Sequence, residues 1–461
     1  MRPRRTRLFS VPITAAASIL LYGFGSNPNG PPIRRTGAPA DGGLNCTACH
    51  RPGADLTGGK VQITTSDYKP GVKQTIRVRV EHAAALRWGF ELTARLASDP
   101  TKKAGNFTIT DLIRVRCDDP TALQGTPGPC PDDKVEFAAH TDAATTLGHN
   151  GRMDFVVEWT PPATDAGDVI FYAAGNAANG SHSPAGDRIY TTSLTINREW
   201  DCDFSTKPTI TAVVNAADGS PTLGWNSMIT IFGTGFAPAG HKRAVRASDL
   251  SDDNSFPHDL ACVSVYAEDQ EIPITYVDDK QINAQVPAFS AIGAGSIRVS
   301  VALESGSDEV QSDDALVPYN VVSPAFFTFD GKSVAAQLAD YSLLADPAVV
   351  PGGKTAKPGD AVILYGTGFG VTEPFWKDGR TVEPNQPELP RLRADMNPTV
   401  TVGGVALSAA DISYIGLAPL SISGLYQMNI RIPASIGPGD APVTLTVKGV
   451  STQAGATIPV R

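Results

Sequence analysis

Charge is scarce in this sequence. Only 18% of its residues are charged, and acids outnumber bases 47 to 38, for a formal net charge of -9. Such a surface offers no cationic stripe for a phosphate backbone, which argues against nucleic acid as a partner. Beyond the first 24 residues no segment is long and apolar enough to cross a bilayer, and long amphipathic helical periods are missing. Gly-x-Ser-x-Gly, His-Glu-x-x-His and the dinucleotide fingerprint do not occur, so nothing points to an enzyme. Histidine and cysteine are rare, with 7 and 6 copies, which makes the one place where they gather informative.

What is plentiful is glycine (44) and proline (37), the composition of short strands and tight turns. A length of 461 residues allows about three domains. The reading is all-β: immunoglobulin-like sandwiches in tandem. The N-terminus places Arg2, Arg4, Arg5 and Arg7 before the apolar run Leu8 to Phe24, which predicts an export signal or N-terminal anchor over residues 1–30. Without those four arginines the formal charge becomes -13. The expected location is extracytoplasmic, whether periplasm, cell surface or medium, with no membrane span beyond the signal.

Cysteine and histidine gather at Cys46-Thr47-Ala48-Cys49-His50. Covalent attachment of haem c requires this spacing: two thiols reach the two vinyl groups of one porphyrin while the next imidazole approaches the iron. Two plainer readings compete, a local Cys46–Cys49 disulfide and a small structural metal site that includes His50. Zinc is the weaker rival, since no second Cys-x-x-Cys or His-x3-5-His occurs downstream at finger-like spacing. A haem held by His50 leaves a sixth position. His140, after the strand-like Lys134 to Phe137, is the first choice of distal ligand to the iron, with His149, His82 and Met153 in reserve. Loop-rich flanks at Gly37 to Gly43 and Gly53 to Gly59 predict an exposed haem.

After the motif, period-2 alternation predicts strands at Lys60 to Thr64, Gln74 to Glu81, Trp88 to Leu96, Met153 to Trp159, Asp168 to Ala174 and Ile189 to Ile196. In the second of these, Ile76, Val78 and Val80 share one face while Arg77 and Arg79 take the other. The chain here resembles the reeler family, in its bacterial branch. The likeness is carried by Thr36-Gly37-Ala38-Pro39 before the cysteines, Tyr68-x-Pro70-Gly71, Gly89 to Ala94, Ala104 to Phe107, His140-Thr141 and Phe171 to Gly180. The resemblance implies an exported β-sandwich over 31–205 and no settled activity, since relatives look like matrix or adhesion modules or sit beside haem-dependent reductase modules.

Beyond the linker Trp200 to Pro208 the sequence repeats itself. Met228 to Phe236 (MITIFGTGF) is echoed by Ala361 to Phe369 (AVILYGTGF), and Gln281 to Ala288 by Gln427 to Ala434. The landmarks lie 53 residues apart in the first copy and 66 in the second, so the second carries 13 extra residues. The copies, at 206–322 and 323–461, resemble IPT/TIG immunoglobulin-like domains, and the whole stretch is similar to a C-terminal region of large secreted acidobacterial proteins. Gly-Thr-Gly-Phe reads as a turn with an aromatic plug, since neither a phosphate-loop Lys-Ser/Thr nor a helix comes after it. Asp249 to Asn254 lacks EF-hand spacing and reads as a solvated loop. Cys117 and Cys130 bracket a Pro/Gly-rich loop and are expected to pair; Cys202 and Cys262 are the remaining pair, able to staple the linker to the first repeat.

Three functional expectations result, the least favoured being a hydrolase with an unrecognised site. One is an exported haem c protein that passes electrons to an unidentified redox partner or senses a small ligand. The alternative is a non-haem surface module that binds a cell-surface or matrix ligand and whose cysteines are only structural.

Overall fold

A computed structural model describes residues 28–52, 58–148, 150–181, 183–199, 202, 206–251, 253–288, 293–302 and 309–461. The basic and apolar N-terminus and the reserve ligand His149 lie outside these residues. The described chain contains strands and short 3-10 turns but no α-helix, as the alternating patterns predict, and no helix in it is long and apolar enough to cross a membrane. It divides into two compact units, residues 1–198 and 199–461.

The N-terminal unit has eleven strands: β1 (Arg51–Pro52), β2 (Gly59–Thr64), β3 (Gln74–His82), β4 (Arg87–Leu96), β5 (Asn106–Phe107), β6 (Ile113–Cys117), β7 (Thr126–Pro127), β8 (Glu136–His140), β9 (Arg152–Thr160), β10 (Val169–Ala178) and β11 (Ala185–Ile196). They form a seven-stranded sheet in the order β1-β11-β10-β4-β8-β6-β7 and a four-stranded sheet in the order β2-β3-β9-β5. The core between them takes the inward set of each strand: Ile76, Val78 and Val80 of β3, Phe155, Val157 and Trp159 of β9, and Trp88, Phe90, Leu92 and Ala94 of β4. Burying side chains of this size contributes roughly 1.5–3 kcal/mol each. The Cys117–Cys130 disulfide closes the loop beyond β6.

One strand departs from simple alternation. β4 is buried on both faces, because residues 28–50 run as a strap across the outside of the large sheet. Gly89, Glu91, Thr93 and Arg95 of β4 lie under it. Among the contacts that hold the strap down, Arg34 forks onto Asp118 at 2.8 and 2.9 Å, the Arg35 amide donates to Glu91, Asp41 pairs with Arg95 at 2.7 Å, and Asn29 accepts from the Asp142 amide at 3.1 Å.

The C-terminal unit holds two cores that match the duplication, one spanning Val213 to Tyr319 and one spanning Val322 to Val460. Phe236 and Phe369, the aromatic plugs of the repeated motif, are both fully buried. The second Gly of each motif, Gly235 and Gly368, has φ near +70°, the backbone state that the Gly-Thr-Gly reading requires. Cys202 pairs with Cys262, so the linker is stapled to the first sandwich.

The two sandwiches meet along a seam. Met228 N donates to Thr367 Oγ1 at 2.8 Å and Asn215 Nδ2 to the Ser323 carbonyl at 3.0 Å. Residues 371–390 of the second copy reach back as a clamp. Gly379 N donates to Gln285 Oε1 at 2.9 Å, Phe256 N to the Gly379 carbonyl at 2.8 Å, and Thr381 N to the Asn254 carbonyl at 2.9 Å.

Candidate functional site

The Cys-x-x-Cys-His segment is part of the strap. Asn45 caps a 3-10 turn over Cys46–Ala48 by accepting from Thr47 N at 2.9 Å, and the amides of Cys49 and His50 both donate to the Cys46 carbonyl, at 3.2 and 2.9 Å. A Thr36–Asn45 bridge ties the turn to the start of the strap. The chain then joins the large sheet, with β1 running parallel to β11 so that Pro52 stands beside Asp187. That register brings His50 to Asp187.

Cys46 and Cys49 are free thiols, whereas the other four cysteines are paired. Their surroundings differ. Cys46 is only 7% exposed and packs on Ala174 of β10 and Ile189 of β11. Burial, with the nearby negative charge of Glu91 second, pushes its thiol up to about 12. Cys49 is half-buried. The loop setting alone leads to an exposed motif; the strap instead turns its first sulfur into the protein.

His50 is oriented by its neighbours. Its Nδ1 lies 2.7 Å from Oδ2 of Asp187, whose side chain is almost wholly buried and whose Oδ1 accepts from Asn179 N at 3.0 Å. With Nδ1–H donated to that carboxylate, Nε2 carries a lone pair. Asn176 Nδ2 lies 3.3 Å from Nδ1 and 3.5 Å from Nε2, and Asn176 Oδ1 is buried without a partner.

His140 ends β8 close by. Asn176 faces Gly89 across the β4–β10 ladder, and the His140 ring wedges over Gly89: a Cβ there would lie 2.7 Å from its Cε1. Its Nδ1 sits 2.9 Å from the Phe90 amide and 3.1 Å from the Phe90 carbonyl, with the rings of Phe90 and Phe155 next to it. Burial pushes its pKa down to about 4, with the nearby Arg114 charge adding to that shift, so the ring is neutral. The three motif residues and His140 therefore share one end of one sheet, His140 as a core side chain. Of the reserves, His82 caps the β3–β4 turn by accepting from Ala84 N at 3.1 Å, and Met153 is buried in the sandwich core.

The residues fit a c-type haem at two points and resist it at one. His50 has the second-sphere carboxylate that iron-ligating imidazoles use, and Cys49 lies beside it with its thiol free. The sulfur of Cys46, by contrast, faces the sheet. Among the described residues no group of three or more His, Cys, Asp or Glu could hold a bare metal ion.

Sequence reasoning missed Asp187, Asn176 and Glu91. Asp187 and Asn176 sit in strands whose alternation marks them only as outward-facing. Glu91 is 1% exposed and pushed up to about 8 by burial beneath the strap.

No known family and no curated protein matches this chain. Among solved structures it is similar to the reeler domain of human F-spondin, at 20% identity, covering 32% of this chain and 91% of that one, with a TM-score of 0.20. It is also similar to an auxiliary nutrient binding protein from Bacteroides thetaiotaomicron, at 16% identity over 30% of this chain and 29% of that one, TM-score 0.18. A third is the I67–I69 fragment of titin, at 11% identity over 87% and 98%, TM-score 0.15. At these values the assignment to tandem β-sandwiches rests on the sheets described above.

Proposed function

We propose that Cys46, Cys49 and His50 hold a c-type haem and that the chain is an exported redox or ligand-sensing protein. The observation that carries this reading is the His50–Asp187 bond. It fixes the tautomer, aims a basic Nε2 away from the carboxylate and strengthens it as a ligand. A haem bound there would supply one-electron chemistry, or a binding position for a small molecule if the sixth site is open. Asp187 orients and His50 ligates, while the turn over Cys46–Ala48 sets the two thiols and the imidazole on consecutive corners of the chain. His140, at the end of β8, is the residue that would supply a further imidazole to the iron. The two disulfides accord with folding in an oxidising compartment, where haem c is attached.

The burial of Cys46 favours a second reading, a surface binding module in which the strap cysteines only pack. One experiment separates the two. The full chain is expressed for export in a host with haem c maturation enzymes, and its visible spectrum and intact mass are recorded. A Soret band with the added mass of one haem is expected, lost in the double variant Cys46→Ala/Cys49→Ala. His140→Ala should then move a low-spin spectrum to high-spin. A colourless protein of unmodified mass establishes the binding-module reading instead.

A further inference from the structure

The clamp of the C-terminal unit carries an ionisable group in an unusual place. Asp378 is partly buried at the seam, and its Oδ1 has no hydrogen-bond partner. Two further orphans lie near it. Gln285 is fully buried, and its Oε1 accepts from Gly379 N and Ser423 Oγ, which leaves Nε2 without an acceptor. Asn226 is 6% exposed, bonds through its side chain to Tyr426, and keeps Oδ1 unpartnered. Tyr426 feels the charge of Asp378, which places all three at one spot.

Among the described residues no cation compensates Asp378. On its own segment Lys377 turns to Asp253 at 3.7 Å, and Arg380 gives Nε to the Asp253 carbonyl and Nη2 to Glu383. From the first sandwich the charged and titratable groups at the seam are Asp253, His258 and Glu271. His258 feels Lys377 and Glu271, and burial lowers its pKa. From the second sandwich they are Tyr426 and Tyr414, with Arg391 stacked on Tyr414. The carboxyl of Asp378 is thus left with a single hydrogen bond, from the backbone of Ala288.

We propose that residues 371–390 are a proton-operated lock, which with Asp378 neutral joins the two sandwiches into one stiff arm and with Asp378 ionised releases the first sandwich. The neutral carboxyl can donate as well as accept, and it costs little to bury. The anion has only the backbone hydrogen bond from Ala288 to offset its reduced hydration until the clamp lifts and water enters. Burial raises Asp378 from 3.8 to about 6. A raised folded-state pKa means that the closing contribution is complete below the unperturbed value and is lost as pH rises through about 6. Between pH 5 and pH 7.5 a shift from 3.8 to about 6 corresponds to a change of about tenfold in the opening equilibrium.

The test uses the full exported chain at pH 5 and pH 7.5, with small-angle scattering and limited proteolysis within 371–390 as the two readouts. The wild type should be shorter and resistant at pH 5, and longer and cleaved faster at pH 7.5. Asp378→Asn should stay compact and resistant at both. Gly379→Ala supplies the open reference, because Gly379 has φ +70° and a Cβ there would run into Pro273 of the first sandwich. That variant should be extended and cleavable at both values. A wild type that behaves alike at the two values overturns the proposal, as does an Asp378→Asn protein with the wild-type pH response. A Gly379→Ala protein that stays compact at pH 7.5 overturns the role of the clamp itself.

Discussion

The strap of the N-terminal unit and the clamp of the C-terminal unit do the same job by different chemistry. Each is a loop-rich segment laid over strands that would otherwise meet water. The strap closes with opposite charges shut in together: Asp41 and Arg95 are 8% and 2% exposed, and Arg95 also donates to Thr93 and to the Pro100 carbonyl. The clamp closes with backbone hydrogen bonds and one buried amide, and leaves Asp378, Gln285 and Asn226 each a partner short. A cover pinned by a buried, matched ion pair is hard to lift. A cover with unmatched groups is easier to lift.

The comparison breaks most visibly at Arg95. Arg95→Ala leaves Asp41 buried without its partner and should cost about 3–5 kcal/mol, read as a lower midpoint in chemical denaturation. Glu91 tests the strap from the other side. Its carboxyl is raised from 4.5 to about 8, so wild-type stability is full below pH 4.5 and falls as pH climbs through 8. Glu91→Gln should flatten that decline and be the more stable protein at pH 8. A variant that falls in parallel with the wild type would refute the assignment.

Smaller effects separate the two units further. Removing Cys202–Cys262, which closes 60 residues, should cost about 4 kcal/mol in the chain-entropy model, against about 3 for Cys117–Cys130, which closes 13. Calorimetry of the two Cys→Ser pairs checks the order. Smallest is Gln285→Ala, which strips an acceptor from Gly379 N and Ser423 Oγ yet also removes an orphaned amide. A loss of about 1–2 kcal/mol is expected, well below that of Arg95→Ala.

Much of the fold was legible because alternation is a local property. The pattern at Gln74 to His82 places Ile76, Val78 and Val80 inside whatever they pack against, and all three are fully buried. Loop composition foretold Cys117–Cys130, and the repeated Gly-Thr-Gly-Phe foretold two buried aromatics. The site was legible only in part. Cys46, Cys49, His50 and His140 declared themselves by type and spacing, but Asp187 is 137 residues from His50, and only the parallel pairing of β1 with β11 joins them. Glu91 and Arg95 read as solvent-facing, because the segment that covers them lies some 50 residues upstream. Likewise the 13 extra residues of the second repeat were countable, while the docking of residues 371–390 on the first repeat depends on the seam.

The inward turn of Cys46 also makes the strap measurable. In protein made without haem attachment, a thiol shut beneath a cover reacts with an alkylating reagent only during the moments when the cover is off, whereas its neighbour Cys49 reacts from the closed state. The ratio of the two labelling rates in one sample is therefore a clock for strap opening, with the reagent's intrinsic speed cancelled. Because the sandwich core need not melt for the strap to lift, that clock runs independently of global unfolding and reports how long the Cys-x-x-Cys-His segment stays seated.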